Sequence, residues 1–265
     1  MDSIISPEGC GVGRESVLMN GQCFRWYANY TQQQDIQFGR SAKPGEVPFA
    51  VYISATNKFL GVSYAYSGGY YDKTAIKIYP GAQSLDQLPD SYLVDSLYVH
   101  PDYIRVVESK SDLALIKLKQ SIPLDISGQE IRILNAICLP IKTKYLPLND
   151  INQLALVAGF GAYGNQLHTV SRLQVGWVYL VYNDDPVWYY MIRYPRFNGT
   201  VICEGDSGGP LYQYVNGRAV LIGIALSSQK SNDNNCMNQN DDKKDMFFVR
   251  IAPKLDWIQQ VISEN

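Results

Sequence analysis

The sequence is short of the side chain that most often moves protons near neutral pH. Its 265 residues include two histidines, His100 and His168. It is also short of cysteine. The five, Cys10, Cys23, Cys138, Cys203 and Cys236, are spread along the chain, which excludes a metal-binding cysteine cluster and a scaffold built on dense disulfides. Neither sign of charge dominates: 23 Lys and Arg against 25 Asp and Glu leave a net charge of -2. A chain so balanced has no broad electrostatic footprint for nucleic acid or an anionic membrane. No apolar run approaches the ~18–20 residues of a membrane helix. The opening Met1-Asp-Ser-Ile-Ile-Ser-Pro-Glu8 lacks the basic and apolar regions of a leader. Either the protein stays inside the cell, or this chain begins after its leader.

What is present favours the second alternative. At 46% hydrophobic and 18% charged residues the chain has the composition of a globular protein. Widely spaced cysteines suit long-range disulfides in an oxidising compartment, with one thiol left over by the odd count. Asn29-Tyr-Thr31 and Asn198-Gly-Thr200 are glycosylation sequons. A secreted protein is therefore expected. Asp184-Asp185 and Asp241-Asp242 lack the oxygen spacing of a calcium loop and read as solvated turns; no cofactor or metal is expected.

Residues 1–35, with Gly9, Gly11, Gly13 and Thr31-Gln-Gln-Gln-Asp35, read as a polar extension. Beyond them come short runs rich in Val, Ile, Tyr and Leu, punctuated by Gly, Pro, Asn and Asp: Val47–Ile53, Ala75–Tyr79, Leu113–Leu118, Leu154–Ala158, Leu173–Tyr182, Leu211–Val215 and Ala219–Leu226. Short strands at this spacing predict an all-β sandwich or barrel. Only the end reads as a helix, with Leu255, Ile258 and Ile262 on one face. The polar stretch Ser231–Asp245 is expected to be a solvated loop.

The chemistry is concentrated in Cys203-Glu-Gly-Asp-Ser-Gly-Gly-Pro210. Glycines around a serine let the backbone approach a substrate closely. The amides of Gly205 and Ser207 can converge as an oxyanion hole behind a hydroxyl nucleophile.

This octapeptide resembles the nucleophile loop of the chymotrypsin/trypsin family of serine endopeptidases, and further resemblances follow in family order over most of the chain. Ile36-Gln-Phe-Gly-Arg-Ser-Ala-Lys-Pro-Gly-Glu-Val-Pro-Phe49 is similar to the family's mature N-terminus. Val99-His-Pro-Asp-Tyr103 and Asp112-Leu-Ala-Leu-Ile-Lys-Leu118 are similar to the segments around the triad aspartate. Cys138-Leu-Pro, Ala158-Gly-Phe-Gly161 and the closing Leu255-Asp-Trp-Ile also match. The resemblance implies two six-stranded antiparallel β-barrels with a C-terminal α-helix, over residues 36–265. It implies Ser207 as nucleophile, Asp112 as triad acid, and Gly205 with Ser207 as oxyanion donors. It pairs Asp206 with an α-amino group freed at Ile36, links Cys203 to Cys236, and ties Cys138 to Cys10 or Cys23.

The departures are as telling. A serine hydroxyl needs an imidazole to take its proton and pass it to the leaving amine. His100 lies in a Val-His-Pro string where the family commonly has a non-catalytic histidine, and His168 follows Gly-Phe-Gly in an expected surface loop. In the segment that resembles the family's histidine motif, Val62-Ser-Tyr-Ala-Tyr-Ser67, Tyr66 stands for the histidine and Ser67 for the adjoining cysteine. The preceding strand is largely missing, so the first barrel is expected to be shortened. Divergence and a skipped exon both account for this, and both leave the chain without its general base. Tyrosine, with a pKa of ~10, is almost never a base at neutral pH.

The pocket departs too. Val201 stands at the base, where a trypsin-like enzyme has aspartate. Met246 takes the place of a wall glycine, and Leu226-Ser-Ser228 replaces the substrate-pairing Ser-Trp-Gly. Asp35 precedes Ile36, where activating proteases commonly require Arg or Lys. The reading is a secreted, catalytically inactive homologue that binds proteins or peptides and competes with active relatives for substrates or inhibitors. Its rival is an active endopeptidase with an apolar P1 preference, whose histidine segment is missing from this chain.

Overall fold

The structure is a computed structural model. It describes residues 40–55, 73–103, 111–124, 134–140, 153–163, 168–169, 171–180, 189–193, 200–203, 205–215, 217–228 and 245–265. Ile36, Tyr66, Cys10, Cys23, Cys236, Asn29 and Asn198 lie outside them.

Thirteen strands, two short 3-10 turns and one α-helix appear among the described residues. Four strands, β2 (Val51–Ala55), β3 (Ile76–Pro80), β4 (Tyr92–Val99) and β5 (Ala114–Leu118), form an antiparallel sheet in that order. Seven form a second sheet in the order β1 (Arg40–Ser41), β9 (Gln174–Leu180), β6 (Gln153–Gly159), β11 (Pro210–Val215), β12 (Arg218–Ser228), β13 (Asp245–Arg250), β10 (Tyr189–Arg193). The two-residue strands β7 (Ala162–Tyr163) and β8 (His168–Thr169) pair with each other. Helix α1 (Leu255–Glu264) closes the chain.

This is the all-β, two-sheet architecture with a terminal helix expected of the double β-barrel fold. The second sheet gains a strand beyond the expected six, because Arg40–Ser41 pairs with Val175 and Gln174. The strands at Tyr92–Val99, Tyr189–Arg193 and Asp245–Arg250 were absent from the periodicity reading, since bulges and mixed polarity break their alternation; in β4 the register shifts between Val94 and Ser96. His168 sits in a strand opposite Tyr163, not in a loop. Asp245 likewise opens β13 instead of closing a loop.

The second sheet carries most of the core. Val157, Val178, Leu211, Ile222, Met246 and Phe248 are buried on one side, and Leu156, Val175 and Tyr212 on the other with Val47, Ala82 and Phe160. The first sheet buries Ile76, Ile78 and Val94. Helix α1 seats Leu255 and Ile258 against Leu113 and Ile251, while Ile262 is exposed, contrary to its expected place on the packed face. The helix ends within one turn of Ile262, past the edge of what it covers. The residue that is buried instead is Lys254, just before the helix.

Candidate active site

The turn between Val201 and β11 holds Ser207. Its shape follows from where its backbone groups go. The Asp206 N–H donates to Cys203 O at 3.0 Å, and the Gly209 N–H to Asp206 O at 2.9 Å. The Gly208 N–H donates to Ala225 O and the Ala225 N–H to Gly209 O, both at 2.8 Å, which docks the turn onto β12. Gly205 and Gly208 have φ of 97° and 84°, in the left-handed region that L side chains avoid. A Cβ on Gly209 would come within 2.9 Å of Ala158 O, so glycine is required there by contact. Ser207 is exposed at the tip. Among the described residues no backbone carbonyl accepts from the Gly205 or Ser207 amides.

Beneath the serine lies Asp206, 4% exposed. Its carboxylate accepts from the Gly161 N–H at 2.8 Å and the Cys203 N–H at 2.9 Å. Burial pushes its pKa up to about 6, partly offset by those two hydrogen bonds. Side chains at Gly159 and Gly161 would collide with this carboxylate, with a Cβ within 2.1 Å and 2.3 Å of it. The Gly-Phe-Gly string is therefore a cradle for Asp206. The expected counter-charge at Ile36 falls outside the described residues.

The Ser207 hydroxyl donates to Leu226 O at 3.3 Å, not to a ring nitrogen. His100 is buried elsewhere: its Nδ1 accepts from the Asp102 N–H at 3.2 Å, and its ring packs on Trp257 with centroids 4.8 Å apart. Desolvation lowers its pKa, helped by the Lys254 charge and opposed by Asp102. This imidazole is structural.

Asp112 lies on the loop leading into β5, and the residue is exposed. Desolvation nevertheless raises its pKa. Among the described residues no hydrogen bond or ion pair supports its carboxylate. Sequence reasoning missed what anchors this loop. Lys254 Nζ donates to Ser111 Oγ at 2.6 Å, with both residues buried, and Leu113 packs on Leu255 and Ile258. A lysine beside the start of an amphipathic helix gives no signal of burial, because its partner lies more than a hundred residues away. The structure places Ser207, Gly205, Asp206 and Leu226 together, and it shows no contact from Asp112 to them.

The pocket residues converge. Val201 and Met246 belong to one buried cluster with Ile202 and Phe248. Met246 is fully buried, and its sulfur accepts from the Ile202 N–H at 3.2 Å. Cross-strand register sets Met246 opposite Ser228. A thioether therefore occupies the place between Val201 and β12 where a glycine in that strand would leave space.

Two antiparallel sheets, a closing helix and a serine on a glycine-built turn over a buried aspartate define the trypsin class of double β-barrels. The trypsin family model matches residues 36–258, and the chain belongs to that family. It is 29% identical to urokinase-type plasminogen activator of Gallus gallus, over 71% of this chain and 44% of that protein. It is 24% identical to CLIP domain-containing serine protease B15 of Anopheles gambiae, over 65% of this chain and 47% of that protein. It is 23% identical to chymotrypsin-like elastase family member 1 of Canis lupus familiaris, over 68% of each. The chain thus spans about half or less of the length of the first two relatives.

Proposed function

We propose that this chain is a secreted trypsin-family protein that does not hydrolyse peptide bonds and acts by binding proteins or peptides, competing with active relatives for substrates or inhibitors. The observation that carries this reading is the fate of the Ser207 proton. The hydroxyl donates to the Leu226 carbonyl, which cannot take the proton during attack. The chain's remaining histidine near Asp112 is occupied by Asp102 and Trp257. In a serine-protease triad, loss of the histidine costs on the order of 10⁶ in turnover.

Two further observations support it. Met246 fills space between Val201 and β12, so a substrate side chain has less room there. The Asp112 carboxylate lacks a described partner, so no base is held ready by it. Secretion goes with this reading, in which Cys138 and Cys203 form long-range disulfides suited to an oxidising compartment. In this reading their partners are one of Cys10 and Cys23, and Cys236; Asn29 and Asn198 carry glycans; and residues 1–35 form an extension ahead of the protease-like domain.

The test is labelling by a fluorophosphonate probe, with an active trypsin-family protease as reference. Labelling of this chain should be slower by at least about 10⁴ and should not change in Ser207→Ala. Rapid labelling that disappears in Ser207→Ala would overturn the reading in favour of an active endopeptidase with an apolar P1 preference. Tyr66→His sharpens the result, since recovered labelling would locate the lost base at that position.

A further inference from the structure

The outer face of the first sheet carries a row of residues that neither the core nor the nucleophile turn uses. Register sets Lys77 on β3 opposite Leu93 on β4. On the other side of Leu93, the Lys119 N–H donates to Leu93 O at 3.0 Å, continuing the Val94–Leu118 pairing by one residue. Directly opposed residues share a face, so Lys77, Leu93 and Lys119 form one line across three strands. Lys117, two residues before Lys119, shares that face opposite Ser96.

All three lysines are exposed, and Leu93 is 48% exposed between them. The intervening residues Val94 and Leu118 turn the other way, into the small core of this sheet. The alternation is thus fixed, and Leu93 cannot turn inward without a register slip. Compensation is partial. Lys117 Nζ donates to the chain-terminal Asn265 O at 2.5 Å, and the nearby Asp95 carboxylate accepts from Ser96 Oγ at 3.2 Å. Lys77 and Lys119 make no ion pair among the described residues.

We infer that this face is a docking surface for an acidic, apolar-centred segment of a partner protein, bound in extended form across β3, β4 and β5. Charge complementarity sets the sign of the partner. The exposed leucine sets its class, because a sulfated polysaccharide offers nothing apolar to cover Leu93. Geometry sets its spacing. Neighbouring strands are ~4.8 Å apart, and residues i and i+2 of an extended chain are ~6.7 Å apart on one face. A Glu-x-Leu-x-Glu segment therefore places an apolar side chain over Leu93 and a carboxylate within reach of each flanking lysine. The inference does not depend on the missing histidine, since no residue of the nucleophile turn takes part.

The test uses the full chain and a fluorescein-labelled peptide repeating Glu-Ser-Leu-Ser-Glu, read by fluorescence anisotropy. Comparators are the same peptide with serine for leucine, its lysine-for-glutamate counterpart, and dextran sulfate. Saturable binding is expected, weakened several-fold when salt rises from ~50 to ~150 mM and at least about fivefold weaker for either comparator peptide. Lys77→Glu with Lys119→Glu should weaken it about tenfold, and Leu93→Ser about threefold. Lys77→Gln with Lys119→Gln replaces the reversed pair if thermal melting shows that pair to be misfolded. Absence of saturable binding, or unchanged affinity in the double variant, overturns the inference. So does binding of dextran sulfate or the leucine-free peptide as tight as that of the leucine peptide, which would assign the face to non-specific polyanion contact.

Discussion

The two principal sheets differ in how much of a core their described residues build. The seven-stranded sheet has apolar residues buried on both sides, and the turn that holds Ser207 is bonded to Ala225 of β12 through Gly208 and Gly209. Among the described residues the four-stranded sheet buries Ile76, Ile78, Pro80 and Val94. It exposes Val51 and Ile53, although Ile53 is paired with the buried Ile78. The sheet that carries the Ser207 turn is thus packed on both faces. Among the described residues the four-stranded sheet has the smaller core. A fold can keep an oxyanion turn intact for packing reasons alone, since Asp206, Gly159, Gly161 and Gly209 hold one another in place. Retention of Ser207 therefore says little about retained catalysis.

The largest effect that would sharpen this contrast is in the cores. Phe248→Ala, at a site with no exposure, should cost roughly 3–5 kcal/mol, and Ile78→Ala about 2 kcal/mol; urea denaturation of both variants measures it. Equal losses would break the comparison.

Asp206 gives the next effect. Its pKa is raised from 3.8 to about 6 in the folded chain, so the native state binds the proton more tightly than the unfolded state. The stabilisation is complete below the unfolded value and is lost as pH rises through about 6. Relative to Asp206→Asn, the chain should lose up to roughly 3 kcal/mol between about pH 4 and pH 7, read by thermal melting at intervals of pH. Cleavage that frees an α-amino group at Ile36 beside this carboxylate should flatten that slope.

The join between the Asp112 loop and helix α1 comes third. Ser111→Ala removes a hydroxyl that is bonded to a buried ammonium, and should cost about 1–3 kcal/mol. The change should be accompanied by faster amide exchange in the last helix than in β11 or β12. Smallest is Ser207→Ala. That side chain is exposed and makes one long hydrogen bond, so stability should stay within about 0.5 kcal/mol.

Much of this was legible from residue order. Gly-Asp-Ser-Gly-Gly marked out the Ser207 turn, whereas the role of Gly159 and Gly161 as a cradle for Asp206 appeared only in the structure. Met246 was readable as an obstruction from its alignment with the family's wall glycine, and the structure adds the contact to the Ile202 amide. Three strands were not legible, since a bulge or a mixed-polarity pairing removes the period-two signal. Nor was the orientation of α1 fully legible. Helical spacing gave Leu255, Ile258 and Ile262 equal claims to burial, but only Leu255 and Ile258 are buried and Ile262 is exposed.

The sequence by itself determined which chemical groups exist: a serine on a glycine turn, an aspartate behind it, and two histidines. Composition and local geometry suffice for that, because a residue absent from the chain cannot be supplied by folding. Only the tertiary structure decided where those groups' hydrogen bonds go. Ser207 turns to the Leu226 carbonyl, Lys254 is buried on Ser111, and Lys77, Leu93 and Lys119 fall into one line. Each of these pairings joins residues brought together by strand register and sheet packing, which no stretch of sequence encodes locally.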